Sequence, residues 1–414
     1  MKWRTLKPDE RHNWFVLGNS GEFSRFLPIG SKSAKQDSRS DTETVFKNYS
    51  LGVSTNRDAV VYAFDRASLA ASVERFCDHY SAELDRYRRK GKGRNLDDFL
   101  DYSKIKWSRN LKRSLRNGER VEYEESNVRA SLYRPFAGKW LYFADIAADE
   151  LGQFRRFFPT TAAEQENRVI AVSDIGYRAG RVSALLASRV VDLHLCASLD
   201  GHQCFPFYVY DEDGGNRREN ITDWALKHFR EHYGNRRITK WDIFYYVYGI
   251  LHHPGYRERF AENLKRDLPR VPLAPDFRAF ATAGKELARL HLDYEKLEPW
   301  ALEWIESPGV PLSYRVDDKM RLAKEKTALT VNDSLTLAGI PAEVFKYRLG
   351  NRSALEWVVD QYRVGEDKRS GIRSDPNRPD DPEYIVRLVG QVVRVSVETV
   401  KIVEGLPDDF GSGA

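Results

Sequence analysis

The stretch that most constrains the fold covers residues 220–272, where three helices are predicted in close succession. Gly234 ends the first helix, and Thr239 followed by Asp242 forms a capping box that opens the second. The second helix is apolar on almost every face, so it should lie inside a domain and end at about His253, before a proline. A basic amphipathic helix then leads to a Pro-Arg-Val-Pro turn. The chain therefore folds around a buried helical scaffold.

Length and charge limit the class of protein. The chain has 414 residues, enough for two or three domains, with a net charge of +5 and a pI near 8.8. This mild basic excess permits a nucleic-acid partner, which would require cations clustered on one face. Three cysteines (Cys77, Cys196 and Cys204) form no CxxC pair and predict a reducing cytoplasm. No signal peptide or membrane-length apolar run is present, so no membrane association is predicted.

Hydrophobic periodicity predicts an α+β fold with a mostly antiparallel sheet. We divide the chain into four segments. They are an N-terminal α/β segment over residues 1–120, a sheet-containing core over residues 121–218, a helical scaffold over residues 219–305 and a small α/β extension over residues 306–414.

Several local elements are predicted within these segments. Residues 60–64 suggest a strand, and Asp65 then caps a helix with apolar residues at spacings of three and four. Residues 30–43 are polar and predict a mobile loop. Residues 181–191 form a helix-like run, and the Val-rich run from about Glu383 predicts a long helix or strand. Further helices are predicted over residues 277–291 and 352–362.

Three short patterns are compatible with an enzyme. His228, Glu231 and His232 fit H-x-x-E-H, which in some zinc proteases places two imidazoles beside a catalytic glutamate. Asp-Asp-Lys at residues 317–319 and Glu-Asp-Lys at residues 366–368 place carboxylates beside lysine, as metal-dependent nucleases do. A solvated helix face and two exposed turns account for these patterns more simply. We predict no catalytic residue, metal or cofactor, and a metal-dependent nuclease or other hydrolase is the alternative.

Arginine and aromatic residues alternate in SLYRPFAGKWLYF and in GQFRRFF, a pattern typical of surfaces that contact nucleic acid. Cations on such surfaces contact phosphates and fix register, whereas polar loop side chains read base edges. Alternatively, these cations lie on a surface hairpin where their side chains cover aromatic rings and contact no nucleic acid. Spacing alone leaves both interpretations open. The loop over residues 198–203 is likewise either a ligand-facing loop or an ordinary surface turn.

Several runs resemble one family, the C-terminal specificity portion of the Type ISP restriction-modification enzymes. They include TNRDAVVYAF, SLYRPFAGKWLYF, QCFPFYVY, KWDIFYYVYGILHHPGYRERFAENLKRDLPRVPL, AGKELARLHLDYE and YRLGNRSALEWVVDQY. Members of this family are long single polypeptides that also carry a nuclease, a helicase motor, a coupler and an N6-adenine methyltransferase. The resemblance implies a target-recognition domain over residues 121–218, a helical support and a C-terminal specificity extension.

The resemblance also implies a function, which is recognition of a specific double-stranded DNA sequence for phage defence. Loop positions just before an FPFP-like strand, here Asp200, His202 and Gln203, are expected to read bases. The residues expected to contact phosphates are Arg134, Lys139, Arg155, Arg156, Arg178 and Arg181. Motifs for the nuclease, motor and methyltransferase are absent, so we expect a specificity module that is not an enzyme on its own. Its partner would be a catalytic chain or N-terminal domains that are missing here. A protein-interaction scaffold without DNA contact is a third interpretation.

Overall fold

The structure is a computed structural model that describes residues 20–36, 43–91 and 93–411. Its α-helices are α1 Ser20–Phe23, α2 Lys32–Gln36, α3 Asp58–Val61, α4 Arg66–Lys90, α5 Leu96–Phe99, α6 Arg109–Asn117, α7 Phe154–Phe157, α8 Thr161–Glu166, α9 Asp223–His232, α10 Lys240–His252, α11 Pro254–Arg259, α12 Ala261–Leu264, α13 Phe277–Leu292, α14 Ala354–Gln361 and α15 Tyr384–Glu404. None of the helices in these ranges is long and apolar enough to cross a membrane.

The strands are short and most belong to three four-stranded sheets. They are β1 Leu27–Pro28, β2 Ser50–Leu51, β3 Tyr62–Ala63, β4 Val128–Arg134, β5 Ala137–Tyr142, β6 Val169–Ser173, β7 Ala184–Ala187, β8 Val190–Val191, β9 His202–Pro206, β10 Tyr208–Val209, β11 Arg218–Glu219, β12 Arg270–Val271, β13 Glu303–Glu306, β14 Arg321–Leu322, β15 Ala328–Thr330, β16 Leu335–Ala338, β17 Arg348–Leu349, β18 Arg352–Ser353, β19 Gly365–Glu366 and β20 Arg373–Ser374.

Two of these sheets form the centre of the fold. The first has the strand order β3-β5-β4-β8, and the second has the order β2-β9-β6-β7. In the first sheet β4 and β5 form an antiparallel hairpin, and β8 lies parallel to β4. The second sheet is antiparallel throughout. The α+β class with mostly antiparallel pairing is thus confirmed.

Strands from the beginning of the chain are incorporated into sheets formed by much later residues. Leu27 of β1 pairs with Val271 of β12, and Ser50 of β2 pairs with Cys204 of β9. The apolar core also crosses the predicted segment boundaries, because one buried cluster joins residues of α4, the first sheet, α14 and α15. A second cluster joins α10 and α13 to the second sheet. The division into four segments stays a prediction.

The buried scaffold helix α10 is confirmed. Thr239 and Asp242 form the complete capping box, with each side chain accepting from the other's backbone N–H. The helix ends at His252, and His253 is extended with φ −66° and ψ 123°, as expected before a proline. The next helix differs from the prediction, because the basic run divides at Phe260 into α11 and α12.

Helices α10 and α13 pack with their backbones in direct contact. A Cβ atom added at Gly284 would collide with the carbonyl oxygen of Tyr245, and one added at Gly249 would collide with that of Phe280. Both positions lie in regular helix, so they require the absence of a side chain rather than an unusual backbone conformation. The two glycines therefore set the distance between the two helices.

Two local predictions were wrong. Residues 181–191 contain strands β7 and β8 instead of a helix, because β7 pairs with β6 at the edge of the second sheet and is buried against α13. A short apolar run is ambiguous between helix and buried strand, and burial on both faces selects the strand. Residues 58–61 form the single turn α3, so the predicted strand over residues 60–64 is limited to β3.

Two other local predictions are confirmed. Asp65 caps α4 through the backbone N–H of Ser68, and the Val-rich run is the helix α15. Separately, Cys77, Cys196 and Cys204 are buried, each as a free thiol. Part of the predicted loop over residues 30–43 forms α2, and residues 37–42 lie outside the described residues.

Candidate nucleic-acid interface

A cleft opens between the first sheet, the turn before α3 and a hairpin close to the C-terminus. This C-terminal hairpin consists of the paired strands β19 and β20 and the turn between them. Two adjoining cavities of about 820 and 570 Å³ form the cleft and share Asp58, Glu366 and Asp367 in their walls. Both cavities are lined by a mixture of charged, polar and apolar residues.

A buried carboxylate organises one half of the cleft floor. Asp192 is only 2% exposed and accepts a hydrogen bond from Arg134 Nη1 at 2.6 Å. It also accepts from the backbone N–H of His194 at 2.8 Å and from the Tyr62 hydroxyl at 3.2 Å. A buried ion pair needs further hydrogen bonds to offset its loss of hydration, and the Asp192 carboxylate accepts three in all.

A second carboxylate, Asp58, organises the other half of the floor. It accepts hydrogen bonds from the Tyr133 hydroxyl at 2.9 Å and from the Thr55 hydroxyl. The ammonium of Lys139 lies 4.2 Å from the centre of the Tyr133 ring and 4.6 Å from that of Phe64. Burial lowers the pKa of Lys139 to about 8, and the neighbouring guanidinium in the floor adds to the shift. The floor therefore holds two cations and two carboxylates in one network of hydrogen bonds and ring contacts.

Exposed cations line the walls above this floor. They are Arg75, Lys104 and Lys106 on one side, with Lys368 and Arg369 on the C-terminal hairpin and Arg363 and Arg373 in the adjoining cavity. Within the described ranges, none of these seven forms an ion pair. Asp367, in the same hairpin, accepts from the backbone N–H and the hydroxyl of Ser370 at 2.8 and 2.7 Å. These bonds hold the pKa of Asp367 below its ordinary value and fix the turn.

Only two of the six predicted phosphate-binding residues line the cleft. Arg134 and Lys139 do so, but from the floor, where Asp192 already neutralises the Arg134 guanidinium. The other four residues lie elsewhere. Arg155 forms an exposed ion pair with Asp145 at 2.8 Å.

The remaining predicted cations lie on loops and short helices outside the cleft. Arg156 follows in α7, where its backbone carbonyl accepts from the N–H of Tyr210. Arg178 is exposed in the β6–β7 loop, and Arg181 in the same loop lines a different cavity. The six residues are thus not brought together in the cleft, because the sequence runs that contain them belong to different elements.

The predicted base-reading residues divide into two buried side chains and one surface side chain. Asp200 is 7% exposed and accepts from the backbone N–H groups of Arg178 and Ala179 at 2.9 Å each. His202 is 1% exposed, and burial lowers its pKa to about 4, so its ring is neutral at pH 7. These two side chains face the interior, which corrects the expectation that all three present themselves to a ligand. Gln203 is partly exposed.

The surroundings of Gln203 combine polar and apolar contacts. Its Nε2 donates to Asp174 Oδ1 at 3.1 Å, which leaves the amide oxygen and one N–H hydrogen unused. Leu51 lies opposite Gln203 in the β2–β9 ladder and is 36% exposed. Ile175 and Leu199 in the adjacent loops are 48% and 73% exposed. An oriented amide among exposed apolar side chains is suited to reading a base edge beside a thymine methyl group.

The exposed wall cations are not among the residues that the sequence singled out for phosphate contact. Lys104 and Lys106 occupy alternate positions in YSKIKW, and Lys368 and Arg369 lie in the turn considered above as a metal site. The charges of these residues were visible in the sequence, but Lys368 and Arg369 follow Glu366 and Asp367 directly, so the run did not stand out as basic. Their common location depends on tertiary contacts.

The sequence patterns considered for an enzyme lie on the surface. His228 stacks on Trp224 with ring centroids 5.2 Å apart, and Glu231 pairs with Lys227 at 3.9 Å. His232 is exposed on the same helix. In the part of the chain that the structure describes, no group of three or more His, Cys, Asp or Glu side chains could hold a metal ion.

Comparisons with known proteins point to one family. The model of the Type ISP C-terminal specificity domain matches residues 44–388. A nuclease-deletion mutant of the Type ISP restriction-modification enzyme LlaGI, in complex with a DNA substrate mimic, has a TM-score of 0.84 and 30% identity over 99% of this chain and 36% of its own. A DrdV–DNA complex has a TM-score of 0.84 and 33% identity over 99% of this chain and 41% of its own.

A third similar structure is the ATP-dependent Type ISP restriction-modification enzyme LlaBIII bound to DNA. Its TM-score is 0.84 and its identity 28%, over 98% of this chain and 25% of its own. The chain therefore spans between a quarter and about two-fifths of the length of these proteins. No curated protein sequence matches the chain.

Proposed function

The chain belongs to the family of Type ISP C-terminal specificity domains, and on that premise we propose that it recognises a specific sequence of double-stranded DNA. The observation that carries the proposal is the cleft, whose walls hold exposed cations without ion-pair partners in the described ranges above a floor where two cations face two carboxylates. All three similar structures hold DNA or a DNA mimic. In this proposal the chain is the specificity module of a restriction-modification system and is not an enzyme by itself. Methylation, translocation and cleavage belong to a partner chain or to further domains.

Phosphate contacts and base contacts are made by different residues in this proposal. The exposed wall cations contact the DNA backbone, which fixes register without reading sequence. Arg134 and Lys139, which lie in the floor of the cleft, contribute to its electrostatic potential. Further phosphate contacts outside the cleft are proposed for Arg155, Arg156, Arg178 and Arg181. Asp200 and His202 act by holding the loop that presents the base-reading amide of Gln203.

Replacing Gln203 with alanine should relax specificity at one base pair. A glutamine amide can accept from adenine N6 and donate to N7 together, and losing such a pair costs about 1–3 kcal/mol of discrimination. The measurement is the Kd for the selected duplex and for duplexes changed at single positions. The control is Gln165→Ala, an exposed glutamine outside the cleft, which should leave all ratios unchanged. Equal weakening for every duplex would contradict the base-reading role.

Replacing both Lys368 and Arg369 with alanine should weaken binding to all duplexes alike. Each lost phosphate contact should reduce the slope of log K against log salt by about 0.9, so the pair should reduce it by roughly 1.8. The measurement is a salt titration of binding by fluorescence anisotropy. A matched control is the pair Arg236→Ala and Arg237→Ala, two adjacent exposed arginines between α9 and α10. An unchanged slope in the hairpin variant would contradict contact between the C-terminal hairpin and DNA.

The experiment that tests the proposed function is selection of bound duplexes from a randomised pool at low and moderate salt. Enrichment of one short motif at both salt concentrations would support sequence-specific recognition and would identify the site. Sequence-independent binding that disappears at moderate salt would support electrostatic attachment only. Absence of binding at both concentrations would contradict the proposal and favour a protein-interaction scaffold.

A further inference from the structure

A third cavity, which we call the scaffold pocket, has a volume of about 490 Å³ and shares no lining residue with the cleft. Its walls come from three parts of the chain. These are the β6–β7 loop, the helices α10, α11 and α15, and the segment that leads into β17. The lining residues that matter below are Arg181, His252, Arg257, Tyr347 and Thr399.

Three residues that line the scaffold pocket each have a buried polar atom with no hydrogen-bond partner in the described part of the chain. They are Nε2 of His252, Nη2 of Arg257 and Oη of Tyr347. His252 and Tyr347 are 2% and 5% exposed. A buried polar atom without a partner destabilises the fold, and more strongly if it is charged. Three such atoms on residues around one cavity would be satisfied by a polar ligand or by ordered water.

The rings around the pocket are held in fixed positions. His291 lies between the two unsatisfied rings, with centroid distances of 5.3 Å to Tyr347 and 5.5 Å to His252. Both nitrogens of His291 are used, because Nδ1 pairs with the Tyr248 hydroxyl at 2.6 Å and Nε2 with Thr399 Oγ1 at 3.0 Å. The unsatisfied groups cannot therefore be served by this imidazole.

The hydrogen bonds already made define what each free atom needs. Nδ1 of His252 donates to the carbonyl oxygen of Tyr248 at 2.9 Å, so its Nε2 carries a lone pair and needs a donor. Arg257 donates through Nε to the carbonyl oxygen of Leu251, so its Nη2 needs an acceptor. The Tyr347 hydroxyl can donate to that same acceptor group. A suitable ligand thus offers several acceptor oxygens and one hydroxyl.

The charges around the pocket favour an anion. Four cations line it, namely Arg181, Arg257, Lys346 and Arg348, against two carboxylates, Glu258 and Glu404. Glu404 is occupied by an ion pair with Lys346 at 3.1 Å, and no carboxylate of the described ranges pairs with Arg257. The guanidinium of Arg257 is thus a largely buried positive charge without a counter-ion, an arrangement that an anionic ligand would stabilise.

We propose that the scaffold pocket binds a small oxyanion that carries a hydroxyl group, with protonated inorganic phosphate as the simplest such ligand. Arg257 and Tyr347 donate to its oxygens, and its hydroxyl donates to His252. The β6–β7 loop forms one wall of the pocket. In the same loop, the backbone N–H groups of Arg178 and Ala179 donate hydrogen bonds to the Asp200 carboxylate. Binding therefore stabilises the loop that leads to the base-reading position. The proposal does not depend on DNA recognition.

The test is the thermal unfolding midpoint of the full chain in increasing phosphate, with ionic strength held constant by sodium chloride. Phosphate should raise the midpoint, and Tyr347→Phe should need about tenfold more phosphate for the same rise, as expected for one lost hydrogen bond. Without phosphate this variant should be as stable as the parent, because the deleted hydroxyl has no partner in the described chain. The matched control is Tyr294→Phe. Its hydroxyl is also buried and without a partner in the described chain, but Tyr294 does not line the pocket.

Two further arms separate phosphate binding in this pocket from general anion effects and from binding in the cleft. Sulfate has the same shape but no proton to donate, so equal stabilisation by sulfate would overturn the proposal. The Lys368→Ala and Arg369→Ala double variant should keep the full phosphate response, and loss of the response there would assign the effect to the cleft. Absence of any phosphate effect, or an identical response of Tyr347→Phe and Tyr294→Phe, would also overturn it. A crystal structure grown with phosphate should show a tetrahedral anion in the pocket, and water alone would count against it.

Discussion

Replacing Asp192 with alanine should lower the free energy of unfolding by about 3–5 kcal/mol, the usual cost of removing one partner from a buried ion pair. The carboxylate is 2% exposed and pairs with Arg134 at 2.6 Å. Without it, the Arg134 guanidinium and the nearby Lys139 ammonium would remain as two buried cations beside the single carboxylate of Asp58. The measurement is urea-induced unfolding followed by tryptophan fluorescence.

The control for this prediction is Asp145→Ala. Asp145 also pairs with an arginine, Arg155, but the two side chains are 77% and 41% exposed. An exposed pair contributes about 0–1 kcal/mol, so the control should unfold close to the parent. Similar losses in both variants would show that the Asp192 ion pair is not the element that holds the floor of the cleft together. A selective loss in Asp192→Ala would link stability to the proposed DNA-binding surface.

Replacing Gly284 with alanine should destabilise the chain by about 1–3 kcal/mol, the range found for overpacking a tight interface. Helix propensity alone predicts the opposite sign, because alanine is better than glycine in a helix by about 1 kcal/mol. The collision of the new Cβ with the carbonyl oxygen of Tyr245 decides the outcome, since backbone in two packed helices cannot move aside locally. Denaturant unfolding measures the change.

Gly405→Ala is the control for adding a Cβ atom to a glycine of αR conformation where there is room for it. Gly405 follows α15 with φ −87°, and a Cβ there would meet its nearest atom at 3.4 Å, an ordinary contact. This variant should be neutral or slightly stabilising. If Gly284→Ala were stabilising too, α10 and α13 would have to pack less closely than described. The separation between these helices would then not depend on the two glycines.

The features that the sequence predicted well are those determined locally. A capping box, a proline after the last turn and apolar residues on every face determined α10 almost to the residue. The helix predicted over residues 181–191 is wrong because the conformation there depends on burial by α13, which is distant in sequence. Local pattern cannot reveal what covers a short apolar run.

The same distinction applies to the candidate interface. His202 and Gln203 are neighbours in β9, and adjacent strand residues point to opposite faces, so both could not face one ligand. The alternation was visible in the sequence, but which of the two faced outward depended on the packing of the second sheet. The wall cations Lys104 and Arg369 are separated by more than half of the chain and meet only in the folded protein.

The pairing of β1 with β12 has a consequence for how the chain folds during synthesis. Leu27 cannot pair until Val271, roughly 240 residues later, has been synthesised. At ordinary elongation rates the ribosome needs on the order of 10–50 seconds to add that many residues. During that interval the first strands have no partner, and the edges of two sheets are open to association with other chains. Slow codons or chaperone binding before residue 271 should therefore affect the yield of native protein.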